Sequence, residues 1–116
     1  MNDGVTDGGR EERVARNELA FRRANESLLT VFEAAPGEEA YPFLCECGDR
    51  RCTEVVYVPL DTYAAVRAHP QRFLILPGHK QLDSERVVGA ADGHEVVEKS
   101  GVAGAIARAG WAQLSR

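Results

Sequence analysis

The chain has 116 residues and a formal net charge of −4. That length suits one domain with one modest core. The acidic balance argues against general nucleic-acid affinity, which rests on lysine and arginine neutralising phosphates. No apolar run approaches the roughly 18 residues of a membrane span, and residues 1–9 lack the apolar stretch of a secretory signal. The expected compartment is therefore the cytoplasm.

Residues 1–9 hold three glycines and two aspartates and nothing to bury, which predicts a disordered tail. Residues 10–116 are expected to form the single domain. From Arg10 to Ala35 there is no proline or glycine, and the pattern is helical. Val14, Phe21 and Leu28 fall seven apart, with Ala24 and Val31 three residues beyond the last two, so these five are expected on one face. Leu19, Leu29 and Phe32 widen it. Glu12–Arg16 and Glu18–Arg22 have the favoured order of acid four residues before base. Pro36-Gly37 stops the helix. The simplest account is a solvated face and a core face. A sharper one makes Val14, Phe21, Leu28 and Phe32 a partner-binding or homodimer surface.

Residues 41–44 read as a short strand, followed by a second from Glu54 to Val58, rich in β-branched and aromatic side chains. Asp61 is the expected cap of a short helix from Thr62 to Ala68, which Pro70 terminates. Arg72 to Leu76 is a strongly apolar strand. Glu85–Gly89 and Glu95–Lys99 flank Asp92-Gly93 and predict a hairpin, with Glu85-Arg86 and Glu98-Lys99 as its cross-strand charges. Ala103 to Ala109 is a candidate last helix, and Trp111, beyond Gly110, a terminal anchor. The zinc and sheet core is thus expected over 40–109. The fold class is α+β: a long N-terminal helix on a small, mainly antiparallel sheet of about four strands with a zinc knuckle.

The chemistry concentrates in three cysteines, Cys45, Cys47 and Cys52, all within eight residues and the only ones in the chain. In a reducing compartment clustered thiols favour metal binding over disulfides. Side chains at i and i+2 of extended backbone share a face, so Cys45 and Cys47 approach one point. Gly48 permits the bend that brings Cys52 back. Arg50 and Arg51 offset the net −1 of three thiolates on a dication. His79, after the Pro77-Gly78 turn, is the first choice for the fourth ligand, completing a Cys3His set for a structural Zn2+. His94 ranks behind it and His69 last. Water, Glu46 and Asp49 stay open as fourth ligands.

Several stretches together carry a resemblance. They are Arg22 to Glu26 (Arg-x-x-Asn-Glu), Cys45 to Cys52, Tyr63 to Arg67 (Tyr-x-x-Val-Arg), Pro77 to His79, Glu85 to Val88 and Val96 to Lys99. In this pattern the chain resembles a family of small, largely uncharacterised bacterial proteins, over nearly all of Arg10 to Ala107. The resemblance implies that His79 belongs with the three cysteines, and it implies no activity. Lys80 departs from it, where an acidic residue is expected, which counts against a His-Glu catalytic pair.

No nucleophile–base pair, His-Glu-x-x-His or deaminase signature is present, so no catalytic residue is assigned and a zinc enzyme ranks last. The leading expectation is a non-enzymatic zinc domain that contacts a protein. A redox- or metal-responsive regulator using the zinc thiolates is the alternative. Nucleic-acid binding through Arg13, Arg16, Arg22, Arg23, Arg50, Arg51, Arg67 and Arg72 is a further one, disfavoured by net charge and by few aromatics for stacking.

Overall fold

The computed structural model describes residues 3–91 and 93–114. Three helices and five strands follow in order: α1 (Asp3–Glu33), β1 (Tyr41–Leu44), β2 (Val55–Val58), α2 (Leu60–Arg67), β3 (Arg72–Ile75), β4 (Arg86–Ala91), β5 (His94–Glu98) and α3 (Gly101–Leu114). The class is α+β, as expected. The strands form two antiparallel sheets, β1-β2 and β3-β5-β4, rather than one sheet of about four. Asp92 of the expected hairpin turn lies outside the described residues, as do Met1 and Asn2 of the expected tail. Gly93 supplies the positive φ, 81°, that such a tight turn needs.

Helix α1 begins at Asp3, ahead of the Arg10 start expected from composition. It ends at Glu33, where the Ala34 and Ala35 N–H groups still bond to Thr30 and Phe32 carbonyls. Its buried side differs from the expected one. Val14, Ala15, Glu18, Leu19, Arg22, Asn25 and Leu29 face inward, while Ala24 and Val31 are exposed. Apolar spacing finds part of this side, since Val14, Leu19 and Leu29 are buried and Leu28 and Phe32 pack against the core, but it misses the three inward side chains that are polar. Glu18 pairs with Lys99, Asn25 bonds to Glu46, and Arg22 donates to the Pro70 carbonyl and lies over the Phe73 ring, so polarity does not exclude them from the core.

Helix α1 packs against α3 and β1, and α2 against β3. Gly110 does not end α3. It sits inside the helix, where an added Cβ would lie 2.6 Å from the Leu19 methyls. Its absent side chain lets the two helices approach. Trp111 anchors α3 by donating Nε1–H to the Arg67 carbonyl at 3.1 Å. Asp61 is not the cap of α2. Pro59 takes the N-cap position with extended backbone, and Asp61 falls in the first turn.

The main core joins Leu19, Leu29, Tyr41, Phe43, Val56, Val58, Tyr63, Val66, Phe73, Leu74, Ile75 and Val97. Phe43 stacks on Tyr63 with ring centroids 4.4 Å apart. A smaller cluster of Val14, Ala15, Leu82 and Ala103 seals the other end of α1. Charged residues enter this interior in matched sets. Lys99 pairs with both Glu18 and Glu85, all three buried. The spacing had put Glu85 and Lys99 on the hairpin surface. Only Arg86 and Glu98 behave that way, as register partners bonded at 3.1 Å, with Arg72 on the other side of Glu98 at 2.9 Å.

Candidate metal centre

Strand β1 delivers the first two cysteines to one place. Cys45 and Cys47 follow its end with the alternation of extended backbone, and both are buried. The Cys45 N–H bonds to the Glu54 carbonyl at 3.1 Å, continuing the β1–β2 ladder by one step. Glu46 between them points the opposite way, into the core, and is fully buried. It is therefore an anchor and not a fourth metal ligand. Its Oε1 accepts the Leu74 N–H at 2.9 Å, and its Oε2 accepts from Asn25 Nδ2 at 2.8 Å and the Tyr63 hydroxyl at 2.5 Å. Burial raises the Glu46 carboxyl above its ordinary value, opposed by the Arg22 guanidinium and by these donors. Burial likewise pushes the Tyr63 hydroxyl up, so it stays a donor.

The chain then turns at Gly48, where φ is 86°. A Cβ there would meet Val14 Cγ1 at 2.7 Å and the Val14 carbonyl oxygen at 2.9 Å. Glycine is thus required both by conformation and by the close approach of α1. Asn17 Nδ2 donates to the Gly48 carbonyl at 3.0 Å, locking helix to loop. The Cys52 N–H bonds back to the Asp49 carbonyl at 2.9 Å, closing a turn that returns Cys52 to its partners. Asp49 holds the Arg51 backbone N–H at 2.9 Å and its side chain at 3.4 Å. Those contacts, the backbone N–H first, hold the Asp49 carboxyl below its ordinary value.

His79 arrives from the other sheet. Its N–H bonds to the Leu76 carbonyl at 3.1 Å across the Pro77-Gly78 turn, in which Gly78 has φ 82°. Its Nδ1 lies 3.6 Å from Cys45 Sγ and 3.7 Å from Cys52 Sγ. The ligand atoms of Cys45, Cys47, Cys52 and His79 all fall within 4.8 Å of one another. This four-residue set can hold a metal ion. Neither His94, which opens β5, nor His69, just past the end of α2, joins it.

The electrostatics suit a cation. Cys47 is lowered to about 5, first by the hydrogen bond from Cys45 and then by the Asp49 backbone N–H, His79 and Cys52. Cys45 is pushed up, first by that same bond and then by burial, although the Leu76 N–H at 3.3 Å favours its thiolate. Cys52 is raised by burial, against the backbone N–H of Glu54. The Leu76 N–H is aimed at the Cys45 sulfur, and the backbone N–H groups of Asp49 and Glu54 favour the Cys47 and Cys52 thiolates. Such donors orient and support metal-bound thiolates. Among themselves the sulfurs favour one thiolate, on Cys47. A bound dication is what allows all three to ionise together.

Of the residues expected to meet a partner, Val14 is buried, Leu28 and Phe32 pack against the core, and Phe21 is half-buried. The residues that the spacing did not reveal are Asn17, Asn25 and Glu46. The alternation around Cys45 and Cys47 was itself a signal that Glu46 must face away. Among the described residues, no helix is long and apolar enough to cross a membrane. Comparison with protein-family models, with curated proteins and with solved structures found no match, so what the site can do is argued from its own geometry.

Proposed function

We propose that the chain is a non-enzymatic zinc domain, with a structural Zn2+ held by Cys45, Cys47, Cys52 and His79, and that it acts by contacting a protein partner. The observation that carries the zinc assignment is the ligand spacing. A tetrahedral zinc with sulfur at about 2.3 Å and nitrogen at about 2.0–2.1 Å sets a sulfur and a nitrogen ligand about 3.5–3.6 Å apart. Two of the three sulfur–nitrogen distances at His79, those to Cys45 and Cys52, are 3.6 and 3.7 Å. Four protein ligands fill a tetrahedron and leave no position for a reacting water, which favours a structural over a catalytic role. The ion would join β1, the Cys52 turn and the loop after β3.

A protein partner is favoured by the net charge of −4. Apolar side chains left outside the core include Val31, Val55 and Tyr57, the last 65% exposed. Pull-down with wild-type protein against a Val31→Asp/Tyr57→Asp variant tests this. Loss of the same bound protein from the variant, with zinc and melting unchanged, supports a protein contact. A wild-type protein that is monomeric and retains no partner contradicts it.

One observation favours a second reading, in which the centre responds to oxidants. Cys52 is only half-buried, beside the exposed Arg51. A peroxide would take two electrons from two thiolates, forming a disulfide, releasing Zn2+ and being reduced to water. Zinc retained under mild peroxide excludes it.

A further inference from the structure

A cleft of about 450 Å3 opens between the first half of α1 and the metal loop. Its walls carry five guanidinium groups: Arg10, Arg13 and Arg16 from the helix, and Arg50 and Arg51 from the loop. One carboxylate, Asp49, faces them. Positions 10, 13 and 16 recur every three residues, so their side chains rise along one side of α1. The loop arginines stand on a fixed base, because Asn17 holds the Gly48 carbonyl and the Asp49–Cys52 bond closes the turn.

Among the described residues little of this charge is neutralised. Arg51 engages Asp49 at 3.4 Å, and Arg16 reaches Glu12 only at 3.9 Å on an exposed surface. Arg10 donates to the Gln81 carbonyl at 3.1 Å, which carries no charge. Arg13 and Arg50 have no hydrogen bond or ion pair among the described residues. So many like charges in one concave place repel one another unless an anion completes them, and the field there is focused by the walls. In a chain of net charge −4 this concentration is a local feature and not a consequence of composition.

We propose that this cleft binds an oligophosphate, a small ligand with at least two linked phosphoryl groups. Guanidinium forks match phosphate oxygens in bidentate fashion. Five of them exceed what a single phosphoryl group can engage. The volume lies in the range of small-molecule sites. No aromatic side chain lines the cleft, so it offers no stacking platform for single-stranded nucleic acid. The site rests on the arginines and not on which metal the neighbouring centre holds.

The test is calorimetric titration of the full chain, as purified, with inorganic pyrophosphate at about 0.15 M salt. Metal content is measured before and after. The expected result is saturable binding at one site per chain, with inorganic monophosphate at least about tenfold weaker. Arg13→Gln/Arg16→Gln should weaken pyrophosphate at least about tenfold while melting and metal content stay unchanged. ADP binding as tightly as pyrophosphate supports recognition of the diphosphate alone, and tighter ADP binding supports a nucleotide source for the same chemistry. No binding of pyrophosphate overturns the proposal, as does equal binding by the double variant. Heat that only accompanies loss of metal overturns it too, since the ion is then being extracted. Binding of mixed-sequence duplex DNA without pyrophosphate binding overturns it in favour of a nucleic-acid surface.

Discussion

Asn25 Nδ2 donates to Glu46 Oε2 at 2.8 Å, so helix α1 is bonded to the residue that lies between the first two cysteines of the candidate metal site. The same amide also donates to the Leu44 carbonyl at 2.9 Å and accepts the Leu44 N–H at 2.8 Å, as a neighbouring strand would. Glu46 in turn ties this strand end to β3, where the Glu46 N–H meets the Leu74 carbonyl at 2.7 Å. The cysteines face one way and their anchor faces the other. Placement of the thiolates thus depends on a buried polar network in which each member satisfies the next.

Asn25→Ala leaves Glu46 short of a donor and the Leu44 groups unpaired. It should cost about 2–4 kcal/mol. Chemical denaturation of the metal-loaded variant measures this, and a variant as stable as wild type contradicts the role assigned to Asn25.

Gly48→Ala should be damaging for two reasons, the left-handed backbone and the contact with Val14. A loss of about 1–3 kcal/mol is expected, with weaker metal retention because Cys47 and Cys52 flank the turn. Competition against a chelator reads the retention. A rescue by Val14→Ala in the Gly48→Ala background would show how much of the loss is the close approach.

Glu18 predicts a pH dependence. Burial holds its carboxyl well above the ordinary value, partly opposed by Lys99 and reinforced by Glu85. One ammonium group lies between two buried carboxylates, so retaining one proton keeps the trio neutral. The folded state therefore binds a proton that the unfolded chain releases near the usual carboxylate value. That contribution to stability is fully present below the unfolded value and is lost as pH rises through the folded one. Glu18→Gln removes it, so the stability of wild type minus that of the variant should fall as pH rises through this window. Unfolding free energies across the window check the slope. A flat difference contradicts it.

Much of this arrangement is legible in the residues. Clustered cysteines and the Pro-Gly-His turn show themselves because metal ligands are few in type and closely spaced. The helices and strands follow from periodicity and from proline and glycine. Glu18, Arg22, Asn25, Glu46, Glu85 and Lys99 are not legible as core, because each is buried beside partners on other elements that periodicity along the chain does not reveal. Glu85 and Lys99 look like surface charges for that reason, and the apolar spacing of α1 marks Val14, Leu19 and Leu29 as inward but not Glu18, Arg22 and Asn25. The last helix is expected only over Ala103 to Ala109 but runs from Gly101 to Leu114, because Gly110 inside it is constrained by Leu19 on another helix. Asp61 looked like a cap, but Pro59, with its fixed φ, precedes the helix and takes that place. The arginine cleft needs the loop and helix side by side before it exists at all.

Cys47→Ser is the variant aimed at the centre itself. It removes the sulfur held lowest of the three and one of four ligands. Under the proposed function metal affinity is folding free energy, so the variant should lose metal binding and several kcal/mol of stability. An unchanged melting temperature contradicts the structural role.

The most direct test is native mass spectrometry with metal analysis on protein purified without added metal or chelator. One zinc per chain, whose removal by chelation unfolds the domain, is the predicted result, and the same spectrum reports any dimer. A folded chain that carries no metal would contradict the account.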